Sequence, residues 1–360
     1  GLRRLTRFPS PRCGHFPVAE VDGVDRLPGF PRTVALGRVA LREAVASAGL
    51  DGEAGEAKQL LRRAGIAAGT CVGGMPETEA AVEGVLAGQM PDPSVWLHHE
   101  CAFTTHALAR EWDIRGPAMT ISNACSSGAQ AIASAADLLL AGEVKVAVAG
   151  GVDAITRLTL NGFASLLVMD PQGCRPFDRH RKGMSLGEGA AFLVLEEEGH
   201  ALHRGARALA ALAGSANTCD AFHPTAPDPE GRGAEEAMRQ ALARAGIAPS
   251  EVDYVNAHGT GTPENDRAEG RALARVFGET APPVSSTKRV FGHTLAAAGA
   301  IEAVVSVLAL VTGVLPGTCG LSEADPECVI RPLPESIRAT PRVVLSNSFG
   351  FGGNNTVLCF

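Results

Sequence analysis

Aromatic side chains are scarce in this 360-residue chain, at 4%, and glycine is plentiful, at 42 residues. Small side chains let helices and strands approach closely and leave room for a tunnel that a substrate could enter. Excess positive charge is also lacking. The formal net charge is −7, which argues against nucleic acid as the main partner. No apolar run reads as long enough to span a membrane and no signal peptide is visible, so the expected location is the cytoplasm, with no membrane partner. The nine cysteines contain no C-x-x-C pair and are scattered from Cys13 to Cys359. That spacing speaks against a disulfide framework or a zinc site and for reduced thiols in a cytosolic enzyme. His98-His99 reads as a plain loop or helix start rather than a metal pair, and no metal or bound cofactor is expected.

What the chain does contain is a cysteine at a sharp structural boundary. Ala118 to Ser122 reads as a short buried strand, and Ala129 to Leu140 as an Ala- and Leu-rich helix. Between them lies Asn123-Ala124-Cys125-Ser126-Ser127-Gly128. A sulfur at a helix N-terminus meets unpaired N–H groups and the positive end of the helix dipole, which favour the thiolate. A modest drop from the unperturbed thiol pKa of about 8.5 would make that thiolate accessible at neutral pH.

Three further segments add to it. Asn256-Ala257-His258-Gly259-Thr260-Gly261-Thr262-Pro263 follows the strand Val252 to Val255, so His258 stands on a Gly- and Thr-rich loop at a strand end. His293 closes Ser285-Ser286-Thr287-Lys288-Arg289-Val290-Phe291-Gly292-His293 and opens an Ala-rich helix, Thr294 to Thr312. Asn347-Ser348-Phe349-Gly350-Phe351-Gly352-Gly353-Asn354-Asn355 reads as a glycine-rich loop after the strand Val343 to Leu345. One cysteine, two loop histidines and a glycine-rich backbone segment are the parts of a thiol-based acyl-transfer site. Cys125 and His293 also sit at similar places in two strand–loop–helix–strand units, which suggests an internal duplication.

These segments, with Cys174 to Ala191 (CRPFDRHRKGMSLGEGAA), resemble the β-ketoacyl-acyl carrier protein synthases of the Cys-His-His type, over roughly Ser94 to Phe360. The resemblance implies an α/β thiolase-like fold of five α-β-α-β-α layers, built from two pseudo-symmetric halves. The first half, residues 1–205, would carry the nucleophile and the second, residues 206–360, the histidines. The division falls near Arg204 to Arg207, before a strand at Ala208 to Leu212. Family members usually open with a Val- and Gly-rich strand, expected to be central in its sheet. No such strand follows Gly1, so some tens of N-terminal residues are expected to be missing from the sequence.

The resemblance also implies roles. Cys125 would be acylated from the phosphopantetheine arm of an acyl carrier protein and then attacked by the enolate of a decarboxylated malonyl thioester. His258 and His293 would stabilise the enolate oxygen through Nε2–H. The backbone N–H of Cys125 and one from the Phe349-Gly350-Phe351 segment would form an oxyanion hole, with Phe351 as a gate. Lys288 and Glu302 would be a buried pair behind the histidines. Thr260, Thr262 and Thr225 would bind pantetheine. Gly69 to Met75, and less strongly Phe103, would wall the acyl pocket at a dimer interface. The chain would work as a homodimer, or as the active half of a heterodimer with a chain-length partner. Arg62-Arg63 and Arg179-His180-Arg181-Lys182 are the basic runs open to a carrier, and Leu166-Leu167 stands where relatives often have a basic residue. A non-catalytic chain-length subunit would lack the nucleophile and a decarboxylase-only relative would have glutamine at position 125. The branch that starts from acyl-coenzyme A would have asparagine at 293. A biosynthetic thiolase would use a second, C-terminal cysteine, which Cys359, beyond the glycine segment, does not match.

Overall fold

Short apolar strands alternating with small-residue helices form two sheets in the computed structural model, which describes all residues except 25, 26, 53, 279 and 280. An N-terminal hairpin, β1 (Arg3–Arg4) with β2 (Pro17–Val18), leads through α1 (Arg32–Ser47) and α2 (Gly55–Arg63) into β3 (Gly65–Gly69). There follow α3 (Met75–Leu86), α4 (Ser94–His98), α5 (Cys101–Glu111), β4 (Ala118–Ile121), α6 (Ser127–Leu140), β5 (Val146–Asp153), α7 (Arg157–Ser165), β6 (Gly189–Glu196) and α8 (Glu198–His203). The remainder contains β7 (Gly214–Cys219), α9 (Arg232–Ala245), β8 (Tyr254–Asn256), α10 (Pro263–Phe277), β9 (Val284–Ser285) and α11 (Lys288–Phe291). It ends with α12 (Ala298–Thr312), β10 (Val314–Leu315), β11 (Ile337–Arg338), β12 (Val344–Gly350) and β13 (Asn354–Cys359).

The first sheet has the order β4-β3-β5-β6 and the second β7-β13-β12-β8-β9. In each, three neighbouring strands run parallel and the next antiparallel. Helices α6 and α12 lie between the sheets, α1 and α5 cover the outside of the first, and α9 and α10 the outside of the second. This is the five-layer α-β-α-β-α arrangement of the thiolase-like fold. Strands buried on both faces need no polar alternation, and β5, Val146 to Asp153, is buried throughout. Helix α12 is largely apolar for the same reason, with Glu302 its one charged residue. Its run Leu295–Thr312 is long and apolar enough by composition to cross a bilayer, contrary to the sequence reading, yet it is mostly buried against the two sheets.

The two middle helices touch where each has a glycine. A Cβ on Gly128 would stand 2.6 Å from the Ala296 oxygen, and one on Gly299 would stand 2.8 Å from the Ala129 Cβ. Each helix is entered through a 3-10 turn, Ala124–Ser126 or Leu295–Ala297. Each turn begins on a non-glycine residue in the left-handed region, Ala124 at φ 60° or Leu295 at φ 52°. This alignment corrects the expected duplication: Cys125 corresponds to Ala296, and His293 lies three residues earlier, matching Ser122.

Other boundaries also move. No strand spans 208–212; β7 starts at Gly214. Strand β12 runs on to Gly350, so Asn347 to Gly350 belong to a strand, and the turn is confined to Phe351–Gly353. Strand β4 is an exposed-to-half-buried edge rather than a buried strand. The second half places its first strand, β7, at a sheet edge beside β13. The expectation of a central first strand does not match that arrangement.

Candidate active site

The end of β4, the ends of β8 and β12, and the turn before α12 converge on Cys125. Ser127 fixes the strained turn that carries it. Its Oγ donates to the Ala124 oxygen (2.6 Å) and accepts from the Asn123 N–H (2.9 Å). Gly350 passes so close that a Cβ there would stand 3.1 Å from the Cys125 nitrogen. A larger residue would crowd that N–H. The Phe351 N–H lies close enough to the Cys125 sulfur to favour its thiolate. Both N–H groups named from the sequence therefore lie at the cysteine. The Phe351 ring is half-buried, 5.6 Å from that of Phe163, with Gly352 and Gly353 following in the left-handed region.

Electrostatics at the sulfur differ from the sequence reading. Burial pushes the Cys125 thiol up to about 11, although the Phe351 N–H and the Lys288 cation oppose the shift. Desolvation of the thiolate outweighs these favourable contacts. Cys125 is thus a thiol at neutral pH. Alkylation of Cys125 by iodoacetamide, followed by peptide mass spectrometry, is expected to accelerate about tenfold per pH unit from pH 7 to 9. A plateau below pH 8 would show that the thiol is already ionised.

The imidazoles of His258 and His293 meet edge to face, with centroids 5.4 Å apart, and Phe349 packs 5.8 Å from His258. Burial, with Lys288 adding repulsion, lowers both pKa values well below the usual histidine value. Each ring is therefore neutral, and each has a donor at Nδ1. Lys288 Nζ lies 3.2 Å from Nδ1 of His258, and the Leu295 N–H donates to Nδ1 of His293 at 3.3 Å. Accepting at Nδ1 places the proton on Nε2 in both rings. Nε2 of His293 is buried without a partner among the described residues.

Behind the histidines, Lys288 is buried. Its Nζ donates to Glu302 and, at 2.5 Å, to the His258 carbonyl. Burial pushes the Glu302 carboxyl up and the Lys288 cation opposes that shift, so each charge supports the other. Further buried carboxylates, which the sequence reading missed, hold the loops. Glu269 on α10 accepts the N–H groups of His258 and Gly259 at 2.8 Å each, and Asn347 Nδ2 at 3.1 Å. Asp266 accepts from Gly261 and Phe177 and pairs with buried Arg181, which also reaches Asp325 at 2.6 Å. Arg181 is thereby removed from the expected docking run. In the same run Arg179 pairs with Glu323 and Lys182 is exposed, while Arg62 lies 3.5 Å from Asp113 and Arg63 is exposed. An acidic residue one or two turns into a helix that follows a Gly- and Thr-rich loop was the available signal for Asp266 and Glu269.

Thr260 and Thr262 are buried and share a hydroxyl hydrogen bond of 2.8 Å. Thr225 is half-buried, and its N–H donates to Nδ1 of His223 at 3.1 Å. Cys71, in the expected pocket wall, lies 3.5 Å from the Ser127 hydroxyl, beside the turn that carries Cys125. Phe103 packs against His98, and His99 Nδ1 meets the Thr78 hydroxyl. No group of three His, Cys, Asp or Glu among the described residues could hold a metal. On the strand neighbours β8 and β12, the Asn256 amide and the Ser346 hydroxyl are buried without partners among the described residues, as is Glu302 Oε2 on α12. All nine cysteines are free thiols.

Residues 32–201 match the model of the beta-ketoacyl synthase N-terminal domain, and residues 209–322 that of the C-terminal domain. The chain is 39% identical over 345 residues to Nodulation protein E of Rhizobium meliloti (strain 1021), covering 94% of this chain and 84% of that one. It is 40% identical over 360 residues to the oxytetracycline polyketide putative beta-ketoacyl synthase 1 of Streptomyces rimosus, covering 95% and 83%. Among solved structures it is similar to the ishigamide ketosynthase/chain length factor, with a TM-score of 0.93 and 33% identity over 99% of this chain and 91% of the other. With both domain models matched and the cysteine and two histidines brought together by the fold, the chain belongs to the β-ketoacyl synthase family of condensing enzymes.

Proposed function

We propose that the chain joins an acyl thioester to a malonyl thioester by decarboxylative condensation, with Cys125 as nucleophile. The observation that carries this reading is the pair of neutral imidazoles, each with Nδ1 occupied and Nε2–H left to donate, next to a cysteine under two backbone N–H groups. Cys125 attacks the thioester carbonyl of an acyl group on a phosphopantetheine arm. The oxyanion is met by the N–H groups of Cys125 and Phe351. The C–S bond to the arm breaks, the thiol proton of Cys125 ends on the departing sulfur, and the acyl group stays on Cys125. The malonyl thioester then loses CO₂. The electron pair of the broken C–C bond becomes an enolate, whose oxygen accepts from Nε2–H of His258 and His293. Its carbon attacks the acyl-Cys125 carbonyl, the Cys125 thiolate leaves, and the product is a β-ketoacyl thioester two carbons longer. Lys288 and Glu302 hold His258 in place, and Thr260, Thr262 and Thr225 line the way for the arm. No bound cofactor is needed for these steps.

The substrates' arm belongs to an acyl carrier protein, and the pathway is fatty-acid or polyketide synthesis. The active form is a two-fold pair. The open edge of β4 and the exposed apolar side chains of Leu86 and Met90 on α3 and just after it, and Leu97 on α4, suit a protein partner better than water. A like chain gives the homodimer. Likeness to a ketosynthase/chain length factor structure supports the second reading, the active half of a heterodimer. Nine free thiols fit the cytoplasm. Incubation with an acyl thioester and malonyl-carrier should give a β-ketoacyl product with release of CO₂, followed by mass spectrometry. Free acid without condensed product would mean a hydrolase instead. Light scattering is expected to give a dimer, and an active monomer would defeat the pairing.

A further inference from the structure

Asp153, at the end of β5, is a fully buried carboxylate to which the steps above assign no part. It faces two elements that do have parts. Its Oδ1 accepts from the Thr70 hydroxyl (2.8 Å) and the N–H groups of Cys71 (3.0 Å) and Val72 (3.1 Å), in the expected wall of the acyl pocket. Its Oδ2 accepts from the Ala296 N–H at 2.9 Å. Ala296 directly follows Leu295, whose N–H holds Nδ1 of His293 and whose φ of 52° is a conformation that side chains with a Cβ rarely adopt. Such a residue persists only where its surroundings over-determine it. Asp153 is the side-chain partner on the next N–H. Glu269 has the corresponding relation to the other histidine, through the N–H groups of His258 and Gly259. Only Asp153 also reaches the pocket wall.

We propose that Asp153 is a positioning residue that sets the His293 imidazole by pinning the turn after it, and that ties this turn to the Thr70–Val72 wall of the acyl pocket. The inference rests on the condensing reading. It acts on the malonyl step, because the Leu295 N–H that orients His293 is one residue from the N–H that Asp153 holds. An asparagine would keep the shape, but its amide NH₂ would face N–H donors on one side, and the turn would lose its acceptor or the wall would lose its own.

The test uses the Cys125→Gln protein, in which CO₂ release from malonyl thioester reports the histidine step without acylation. Adding Asp153→Asn is expected to lower kcat for decarboxylation by about tenfold to a hundredfold, with KM within about threefold, as for a partly misplaced oxyanion donor. The melting temperature serves as the check on folding. Thr70→Val, which deletes only a hydroxyl, is expected to lower kcat in the same direction by about threefold to tenfold, and Thr70→Ser to restore it. That pair keeps the test decisive if Asp153→Asn does not fold. A folded Asp153→Asn protein with the parent kcat, a loss shared equally by kcat, KM and melting temperature, or a Thr70→Val protein at the parent rate would each overturn the inference. A parent that releases no CO₂ would overturn the condensing reading, and this inference with it. An active parent with unaffected variants would overturn this inference alone.

Discussion

Cys125→Ala is expected to abolish condensation, lowering the rate by about 10⁴-fold or more, because the acyl group then has no sulfur to occupy between the two half-reactions. Mass spectrometry of the wild type after incubation with acyl thioester should place the acyl group on the peptide containing Cys125. Acyl label on another cysteine would overturn the assignment. Cys71 is the informative control. It lies near the same turn, 3.5 Å from the Ala124 oxygen, but burial pushes its thiol up to about 12, with Asp153 adding to the shift. No backbone donor pair like that of Cys125 and Phe351 faces it in the described structure. Cys125→Gln is expected to keep or raise malonyl decarboxylation without condensation, since the glutamine carbonyl can take the place of the acyl-cysteine carbonyl under the same N–H groups.

Replacing either histidine is the second large effect. His258→Ala and His293→Ala should each cut malonyl decarboxylation by about 10²–10³, the usual result of removing one oxyanion donor from a site closed to water. Both imidazoles are neutral because burial disfavours the cation and Lys288 adds to that. Neither has a free lone pair for a proton, so their contribution is hydrogen-bond donation. Acyl transfer to Cys125 should therefore survive in at least one variant, measured by mass spectrometry. Wild-type decarboxylation in both variants would disprove the shared role. Lys288→Ala should also lower the rate, because Nζ fixes His258 through both its carbonyl and Nδ1. The Lys288/Glu302 double variant should be no worse than the worse single one, since removing one charge already strands the other in the core.

The residues of the site were legible in the sequence because each stands where a short strand gives way to a small-residue helix or a glycine-rich turn. Such junctions leave a composition signal even when they are distant in the chain. Cys125, His258 and His293 were found in this way, whereas the buried pair Lys288 and Glu302 was expected only from the resemblance to the condensing enzymes. Alternating elements gave the α/β class, and the five-layer arrangement followed from the family resemblance that the motifs carry. Other features depended on contacts between residues far apart in sequence. The thiol pKa of Cys125 could not be read from the helix it precedes, because desolvation by both halves outweighs the local dipole. The histidine tautomers needed Lys288 Nζ and the Leu295 N–H to be seen at Nδ1. The length of β12 was hidden because its last residues pair with β13 in spite of two glycine-rich neighbours. Arg181 read as part of a surface basic run because burial depends on the two aspartates the fold brings to it. The three-residue offset between Cys125 and His293 emerged only from superposing two turns with the same left-handed residue. Asp153, 143 residues from the N–H it holds at Ala296, carries no sequence signal of its own. By itself the sequence determined which residue types stand at the strand–helix junctions, because local pattern and composition act over a few residues. Tertiary structure decided their protonation, their partners and their supports, because desolvation and hydrogen bonding depend on what the rest of the chain packs against them.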